Sequence, residues 1–234
     1  MVVPSHRRAD LLRLCLASVQ QFAPPSTEVI VVDDGSRDAI VSRAAAEFPG
    51  VKIIRREKAG GFCVAANAGV AAATAPIVEL LNDDAEVTAG WANAALQWFA
   101  DARVVAVSPL VLQNDPDCLA RGLPPLIDTA GDEYDMGGFA RKRGHGRVSG
   151  IGYRISERIW GVSAAAAFYR REALTKVGGF PEHFKAYFED VDLSFRLRRR
   201  RRSGVRSRVG GVASRVEQLR EATLTADSGT AVVQ

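Results

Sequence analysis

Apolar runs alternate with amphipathic stretches through the first 112 residues, and that alternation leaves few folds open. "MVVPSH" is a short apolar segment. "TEVIVVDDGS", "VKIIRRE", "APIVELLNDD" and "VVAVSPLVL" are further apolar or β-branched runs, most of them closed by turn or charged residues. Runs of this kind read as strands buried on both faces. Between them lie "RADLLRLCLASVQQF", "DAIVSRAAAEF", "GFCVAANAGVAAAT" and "AGWANAALQWFADA". In the first of these Leu11, Leu12, Cys15, Val19 and Phe22 fall at helical spacing. Strand and helix alternating at this length predict an α/β fold with a Rossmann-like, mostly parallel, doubly wound sheet. Residues 113–160 break the rhythm with Gly, Pro and charge, and loops with a hairpin are expected there. The pattern returns as "WGVSAAAAFYRREAL", a strand feeding a short helix, and then as the helical "GGFPEHFKAYFEDVDLSFRLRR". In that helix Phe188, Val191 and Phe195 share one stripe and Leu193 and Leu197 another, so cover on two sides is expected. There is no internal repeat.

Two strands end in paired acids, Asp33-Asp34 and Asp83-Asp84. Open parallel sheets bind ligands at the carboxyl ends of their strands, so four carboxylates are expected along one edge. Such a cluster is costly unless a cation or hydrogen-bond donors meet it. Successive side chains on a strand point opposite ways, so the two acids of each pair are expected to meet different partners. The plainer readings are a turn for Asp33-Asp34 and a helix cap for Asp83-Asp84. Glu189-Asp190, set among aromatic and apolar neighbours, is either a capped structural pair or a pair placed for chemistry.

Charge narrows the function classes. From Arg196 onward ten Arg face three acids, a net of +7, whereas the whole chain is +4, so residues 1–195 carry −3. The basic character belongs to the last 39 residues, which removes the main support for nucleic-acid binding. Cys15, Cys63 and Cys118 are scattered and odd in number, and read as reduced thiols rather than a disulfide framework or zinc site. No apolar run reaches the roughly 18 residues of a membrane span, and the first residues lack a signal-peptide pattern. A cytoplasmic protein is expected. His145 and His183 are lone histidines without ligand spacing, Arg141, Lys142 and Arg143 read as a solvated loop or as a place to meet an anionic acceptor, and "GGFCVAANAG" lacks the dinucleotide-binding spacing.

"VVPSH", "VVDDGS", "GGFCVAANAGV", "LNDDAEV", "GVSAAAAFYRREAL" and "GGFPEHFKAYFEDVDLSFRLRR" occur in an order that resembles family 2 glycosyltransferases of the GT-A fold, with the nearest look to the bacterial rhamnosyltransferase-like group. The resemblance covers about residues 1–198. It implies one GT-A domain, with a nucleotide-sugar half over about 1–112 and an irregular acceptor half over about 113–198. It implies inverting transfer of a sugar from a nucleotide diphosphate donor, a UDP- or dTDP-sugar, to a saccharide or lipid-linked saccharide acceptor in cell-surface polysaccharide synthesis. Carried over residue by residue, Pro4, Ser5 and His6 sit near the nucleotide, Asp34 meets its base, and Asp33 supports that turn. Gly61 opens the loop beside the nucleoside with Asn67 on the helix behind it. Asp83 lies near the ribose and donor sugar, and Asp84 binds Mg²⁺ or Mn²⁺. Asp190 is the base with Glu189 near the acceptor, and Trp160 and Gly161 line the acceptor cleft. The chemistry is coherent. A divalent cation offsets the repulsion of the acid pair and the charge developing on a diphosphate leaving group, and an ionised carboxylate takes the acceptor proton.

The match stops after Arg198. The family continues with a strand and a His near the diphosphate, whereas residues 199–234 have no His, no aromatic and no Pro. Within them "VASRVEQLREATL" is read as a short helix and the rest as a disordered basic tail, suited to peripheral contact with anionic lipid at the membrane's inner face. Its Arg, Gly, Ser, Ala and Val content is also what a GC-rich gene yields when read out of frame, which would leave a sheet edge exposed. Two other functions stay open: a nucleotide-sugar-binding remnant without turnover, and a nucleotidyltransferase. The second wants a Gly-rich basic loop where the chain has "PSHRRAD".

Overall fold

The computed structural model describes residues 1–114, 120–149, 153, 157–184 and 187–199, together with the backbone of 208–219. Cys118 and the tail residues 200–207 and 220–234 lie outside the described residues, and with them most of what was expected of the tail. Among the described residues eleven strands form: β1 (Val2–Ser5), β2 (Ile30–Asp33), β3 (Lys52–Arg55), β4 (Ile77–Leu81), β5 (Ala85–Val87), β6 (Val104–Asn114), β7 (Ile127–Thr129), β8 (Asp132–Tyr134), β9 (Ala140–Lys142), β10 (Ala166–Arg170) and β11 (Arg208–Leu219). The helices are α1 (Ala9–Phe22), α2 (Ile40–Ala46), α3 (Phe62–Ala72), α4 (Trp91–Leu96), α5 (Arg171–Lys176) and α6 (Glu189–Arg199).

Nine strands make one sheet in the order β3-β2-β1-β4-β10-β6-β11-β5, with β7 paired to β6. The pairings set β1, β2, β3, β4, β6 and β11 in one direction and β5, β7 and β10 in the other. The sheet is thus mostly parallel, as expected. One neighbour differs from the simple alternation: antiparallel β10, from far along the chain, enters between β4 and β6. The expected hairpin in the irregular region is β8–β9.

Alternation along the strands feeds two cores. Val3, Val31, Leu81, Ala166 and Phe168 join the cluster that includes Leu12, Leu16, Val41 and Trp91 from α1, α2 and α4. Val2, Ile30, Val32, Val78, Leu80, Ala167 and Tyr169 join Val70, Leu174, Leu193 and Leu197 from α3, α5 and α6. Each fully buried Leu or Ile contributes roughly 1.5–3 kcal/mol relative to exposure. Leu193 and Leu197 cover α6 inward, and Phe195 packs on its other side against Trp160. Phe188 departs from the expected stripe: it precedes the helix and is exposed.

Two expectations for the C-terminal segment differ. Residues 208–219 form a strand, not part of a helix, parallel to β6 and antiparallel to β5. Those two edges are therefore covered. "SRVEQL" carries helical spacing, but pairing on both sides decides the conformation.

The core holds one unusual group. Glu79, in the middle of β4, is buried, and its Oε1 accepts a hydrogen bond from Trp91 Nε1 at 2.9 Å. Burial pushes its carboxyl up to about 8, against the Trp91 hydrogen bond. A carboxyl with a folded pKa of about 8 and an ordinary value of 4.5 binds more protons folded than unfolded between those values. Its contribution is complete below the ordinary value and is lost as pH rises through about 8. Stability should therefore fall by a few kcal/mol across that window. Glu79→Gln keeps an acceptor for Trp91 and should flatten this part of the profile, leaving the variant the more stable at pH 9. Urea unfolding of both proteins at pH 5, 7 and 9 checks it; parallel profiles would contradict it.

Candidate active site

β1 and β2 run in register from Val2 opposite Ile30 to Ser5 opposite Asp33, so both chains leave the sheet at the same edge. Asp33 and Asp34 then diverge, as the alternation requires. Asp33 accepts hydrogen bonds from Ser36 N at 2.8 Å, Ser42 N at 3.1 Å and Ser42 Oγ at 2.6 Å. Burial raises its pKa, but those bonds outweigh it and hold the carboxyl below its ordinary value. It locks the turn, as expected, and is not on the wall of the cavity that Asp34 lines. Asp34 faces the other way and gathers the loop before α3. It accepts from Gly60 N at 3.0 Å, Gly61 N at 2.8 Å and Arg56 Nη1 at 2.8 Å. The approach is close enough to select glycine: a Cβ on Gly35, which has φ +66°, would sit 2.5 Å from Ala59 N. His6 Nδ1 lies 2.8 Å from the Asp34 carbonyl oxygen. Pro4, Ser5, His6, Asp34, Gly61 and Asp83 all line one cavity of about 220 Å³.

Asn67 does not join them. Its Nδ2 donates to Phe180 O at 2.9 Å and its Oδ1 accepts from Phe180 N at 2.8 Å. It ties α3 to the loop before Glu182, on the helix behind Gly61 as expected, and is not on the wall of the cavity of about 220 Å³.

Asp83 and Asp84 follow β4 at the same edge. The expectation that each meets a different partner fails, because one residue answers both. Arg8 Nη1 donates to Asp84 Oδ2 at 2.7 Å, and Nη2 pairs with Asp83 Oδ1. In the protein alone, then, Arg8 offsets the repulsion of the pair. Burial nevertheless pushes Asp83 up to about 6, against the pull of Arg8. Asp83 Oδ2 and Asp84 Oδ1 are buried without a hydrogen-bond partner. Among the described residues no third His, Cys, Asp or Glu completes a protein metal cage. Two carboxylates with spare oxygens fit Mg²⁺ or Mn²⁺, ions that complete their shell from phosphate oxygens and water.

Asp84 also faces a second cavity of about 540 Å³, whose wall includes Asp132, Lys142, Ser163, Glu189 and Asp190. Arg8 and Phe62 line both cavities, so the two adjoin. Asp190 lies in the first turn of α6, with Oδ2 accepting from Ala164 N at 3.2 Å and Oδ1 from Val191 N at 2.8 Å. Just before it Tyr187 and Phe188 adopt left-handed φ of 71° and 63°. Such backbone costs on the order of 1–3 kcal/mol per residue and clusters at working sites. Burial raises Asp190 above its ordinary value, and burial raises Glu189, whose Oε2 has no hydrogen-bond partner. Asp132 is pushed up to about 8 by burial first and then by Asp190.

Trp160 and Gly161 stand behind this cavity rather than on it, a correction to their expected place in the cleft. Trp160 stacks on Tyr134 at 4.8 Å and meets Phe195 edge-on at 4.6 Å, fastening the β8–β9 hairpin to α6. Gly161 pairs with Asp132 through its backbone, and a Cβ there would come within 2.9 Å of Ser194 Oγ. Ser163, Ala164 and Ala165 supply the wall instead.

Two of the residues here, Arg8 and Asp132, carry no signal in the sequence. Arg8 was one of several Arg after β1. Asp132 lay in an irregular stretch, with nothing to show that it would be buried beside Asp190. Lys142, for which the sequence leaves open a solvated loop or contact with an anionic acceptor, borders the cavity with Nζ on Asp128 at 2.9 Å.

A family model described as Glycosyl transferase family 2 matches residues 1–178. The chain belongs to glycosyl transferase family 2. Its sequence is 30% identical over 203 residues to a pre-mycofactocin glycosyltransferase of Mycobacterium tuberculosis, covering 84% of this chain and 38% of that protein. It is 30% identical over 205 residues to the N-acetylglucosaminyl-diphospho-decaprenol L-rhamnosyltransferase of the same organism, covering 78% of this chain and 64% of that one. The family 2 chain thus spans between about two fifths and two thirds of these relatives. Its fold resembles a crystal structure of GalNAc-T7 with UDP, GalNAc and Mn²⁺, with a TM-score of 0.73 at 17% identity over 94% of this chain and 43% of that one. It also resembles the mannosyltransferase PcManGT from Pyrobaculum calidifontis with GDP-Man and Mn²⁺, with a TM-score of 0.60 at 22% identity over 96% of this chain and 56% of that one. This family 2 member accordingly has the GT-A fold.

Proposed function

We propose that the chain transfers a glycosyl group, with inversion, from a nucleotide diphosphate sugar to an acceptor hydroxyl. The observation that carries this is the Asp83-Asp84 pair, with buried unpartnered oxygens, set where two cavities adjoin and with Asp190 on the wall of the larger. The smaller cavity suits the nucleotide: Asp34 and the Gly60-Gly61 amides border the base, and Ser5 and Asp83 the ribose. Asp84, with Asp83, would hold Mg²⁺ or Mn²⁺, which when bound neutralises charge on the departing diphosphate. Asp190 takes the proton of the acceptor hydroxyl as that oxygen attacks the anomeric carbon. The new glycosidic bond forms as the bond to the diphosphate breaks, and the electron pair leaves with the diphosphate. Glu189 and Asp132 border the acceptor. A UDP- or dTDP-sugar is the donor, and the relative named for a decaprenol-linked substrate supports a saccharide or lipid-linked saccharide as acceptor. We infer a role in cell-surface polysaccharide synthesis, in the cytoplasm at the membrane's inner face, with that relative as its support. No helix among the described residues is long and apolar enough to cross a membrane.

A nucleotide-sugar-binding protein without turnover is the second reading, favoured by Arg8, which already occupies both acids in the protein alone. Calorimetric titration with UDP and dTDP, with and without Mn²⁺, tests the common part. Binding that strengthens with the ion is expected; equal affinity in its presence and absence would remove the metal from the account.

A further inference from the structure

Arg8 is a charged group at this site that the proposed reaction does not use. Its guanidinium spans both acids, through Nη1 to Asp84 and Nη2 to Asp83, and its side chain is 35% exposed. It lies on the wall of both cavities, between the nucleotide side and the acceptor side. The backbone below it is fixed. Arg7 holds a left-handed φ of 66°, and Arg8 O accepts the hydrogen bond of Leu12 N at 3.0 Å at the start of α1. A fixed stem with a long, partly exposed side chain lets the guanidinium change partners while its base stays put.

A divalent cation and this guanidinium compete for the same carboxylates, and two cations side by side repel. A nucleotide diphosphate arriving with its cation brings phosphate oxygens, and a guanidinium matches these with paired N–H donors. We propose that Arg8 is an exchangeable counter-ion. In the free protein it occupies the acid pair and holds it formed. When diphosphate and cation enter together it leaves the acids and closes on the diphosphate. Arg8 thereby disfavours the cation alone and favours the cation–diphosphate complex, coupling the two ligands. This rests on the metal-assisted nucleotide binding proposed above.

The test is Mn²⁺ binding to the intact chain, followed by the electron paramagnetic resonance of free Mn²⁺, with and without UDP or dTDP. Arg8→Ala should bind Mn²⁺ alone more tightly than the unmutated protein, by about tenfold, the ratio expected for one charge-assisted hydrogen bond. The same variant should bind the nucleotide diphosphate with Mn²⁺ more weakly by a similar factor. Arg8→Lys keeps the charge but not the paired donors, and should shift both affinities the same way by less; it carries the test if Arg8→Ala fails to fold. Unchanged or weaker Mn²⁺ binding in the variants, or undiminished diphosphate binding, would overturn the exchange while leaving the metal site intact. Absence of Mn²⁺ binding in all three proteins under every condition would instead overturn the metal reading and the exchange with it.

Discussion

Asp190→Asn should cut turnover by about 10²–10⁴-fold, the usual loss for a positioned base, with donor binding little changed. Asn keeps the shape and one oxygen, which can accept from Ala164 N or from Val191 N but not both, so the first turn of α6 should survive with one of its two side-chain bonds lost. What goes is the site for the acceptor's proton. Burial raises Asp190, and Asp132, pushed up to about 8, faces it across the same cavity. A base must be ionised to act, so a raised pKa moves the acidic limb of the rate profile upward, from the ordinary carboxylate range toward neutrality. Activity should therefore rise with pH through the joint ionisation of Asp132 and Asp190. Steady-state rates from pH 5 to 9 measure both effects. A near-normal rate in Asp190→Asn would move the base to Glu189 or Asp132.

Asp84→Ala should abolish the strengthening of UDP or dTDP binding by Mn²⁺. Asp84 Oδ1 is buried without a partner and Oδ2 is held by the exchangeable Arg8, so this carboxylate has oxygens to offer a cation. Its loss also leaves Arg8 with Asp83 alone, which steadies that ion pair and lowers the demand for a second cation. Nucleotide affinity without metal should change little, because the smaller cavity is walled by Asp83 and not Asp84. A titration in which Asp84→Ala keeps the full Mn²⁺ effect would place the ion on other groups.

Much of this site was legible because it depends on short-range rules. β-branched runs ending in acids gave β2 and β4, and parallel register then brought Asp33-Asp34 and Asp83-Asp84 to one edge. Strand alternation separated Asp33 from Asp34. The same rule misled at Asp83-Asp84, which lie in the turn after β4, where alternation no longer holds and one guanidinium reaches both. Arg8 pairs with a residue 76 positions away, a distance that no local pattern encodes. Asp132 and Lys142 reach the cavity on a hairpin in an irregular stretch. The family resemblance puts Trp160 in the cleft, whereas Tyr134, Phe195 and Arg198 claim its ring. Strand β10 was recognised, but its antiparallel entry between β4 and β6 depends on contacts of high sequence separation. At 208–219 the helical spacing was real, and sheet pairing overrode it.

The central claim is turnover of a nucleotide sugar at the acid-rimmed cavities. Its most direct test is a panel of UDP- and dTDP-sugars incubated with the intact chain in Mn²⁺ or in chelator, following release of free nucleotide diphosphate. The account predicts release from at least one donor, faster in Mn²⁺ than in chelator and depressed in Asp190→Asn. Tight nucleotide diphosphate binding with no release from any donor, with or without saccharide acceptors, would contradict it and leave a protein that binds nucleotide sugars without transferring them.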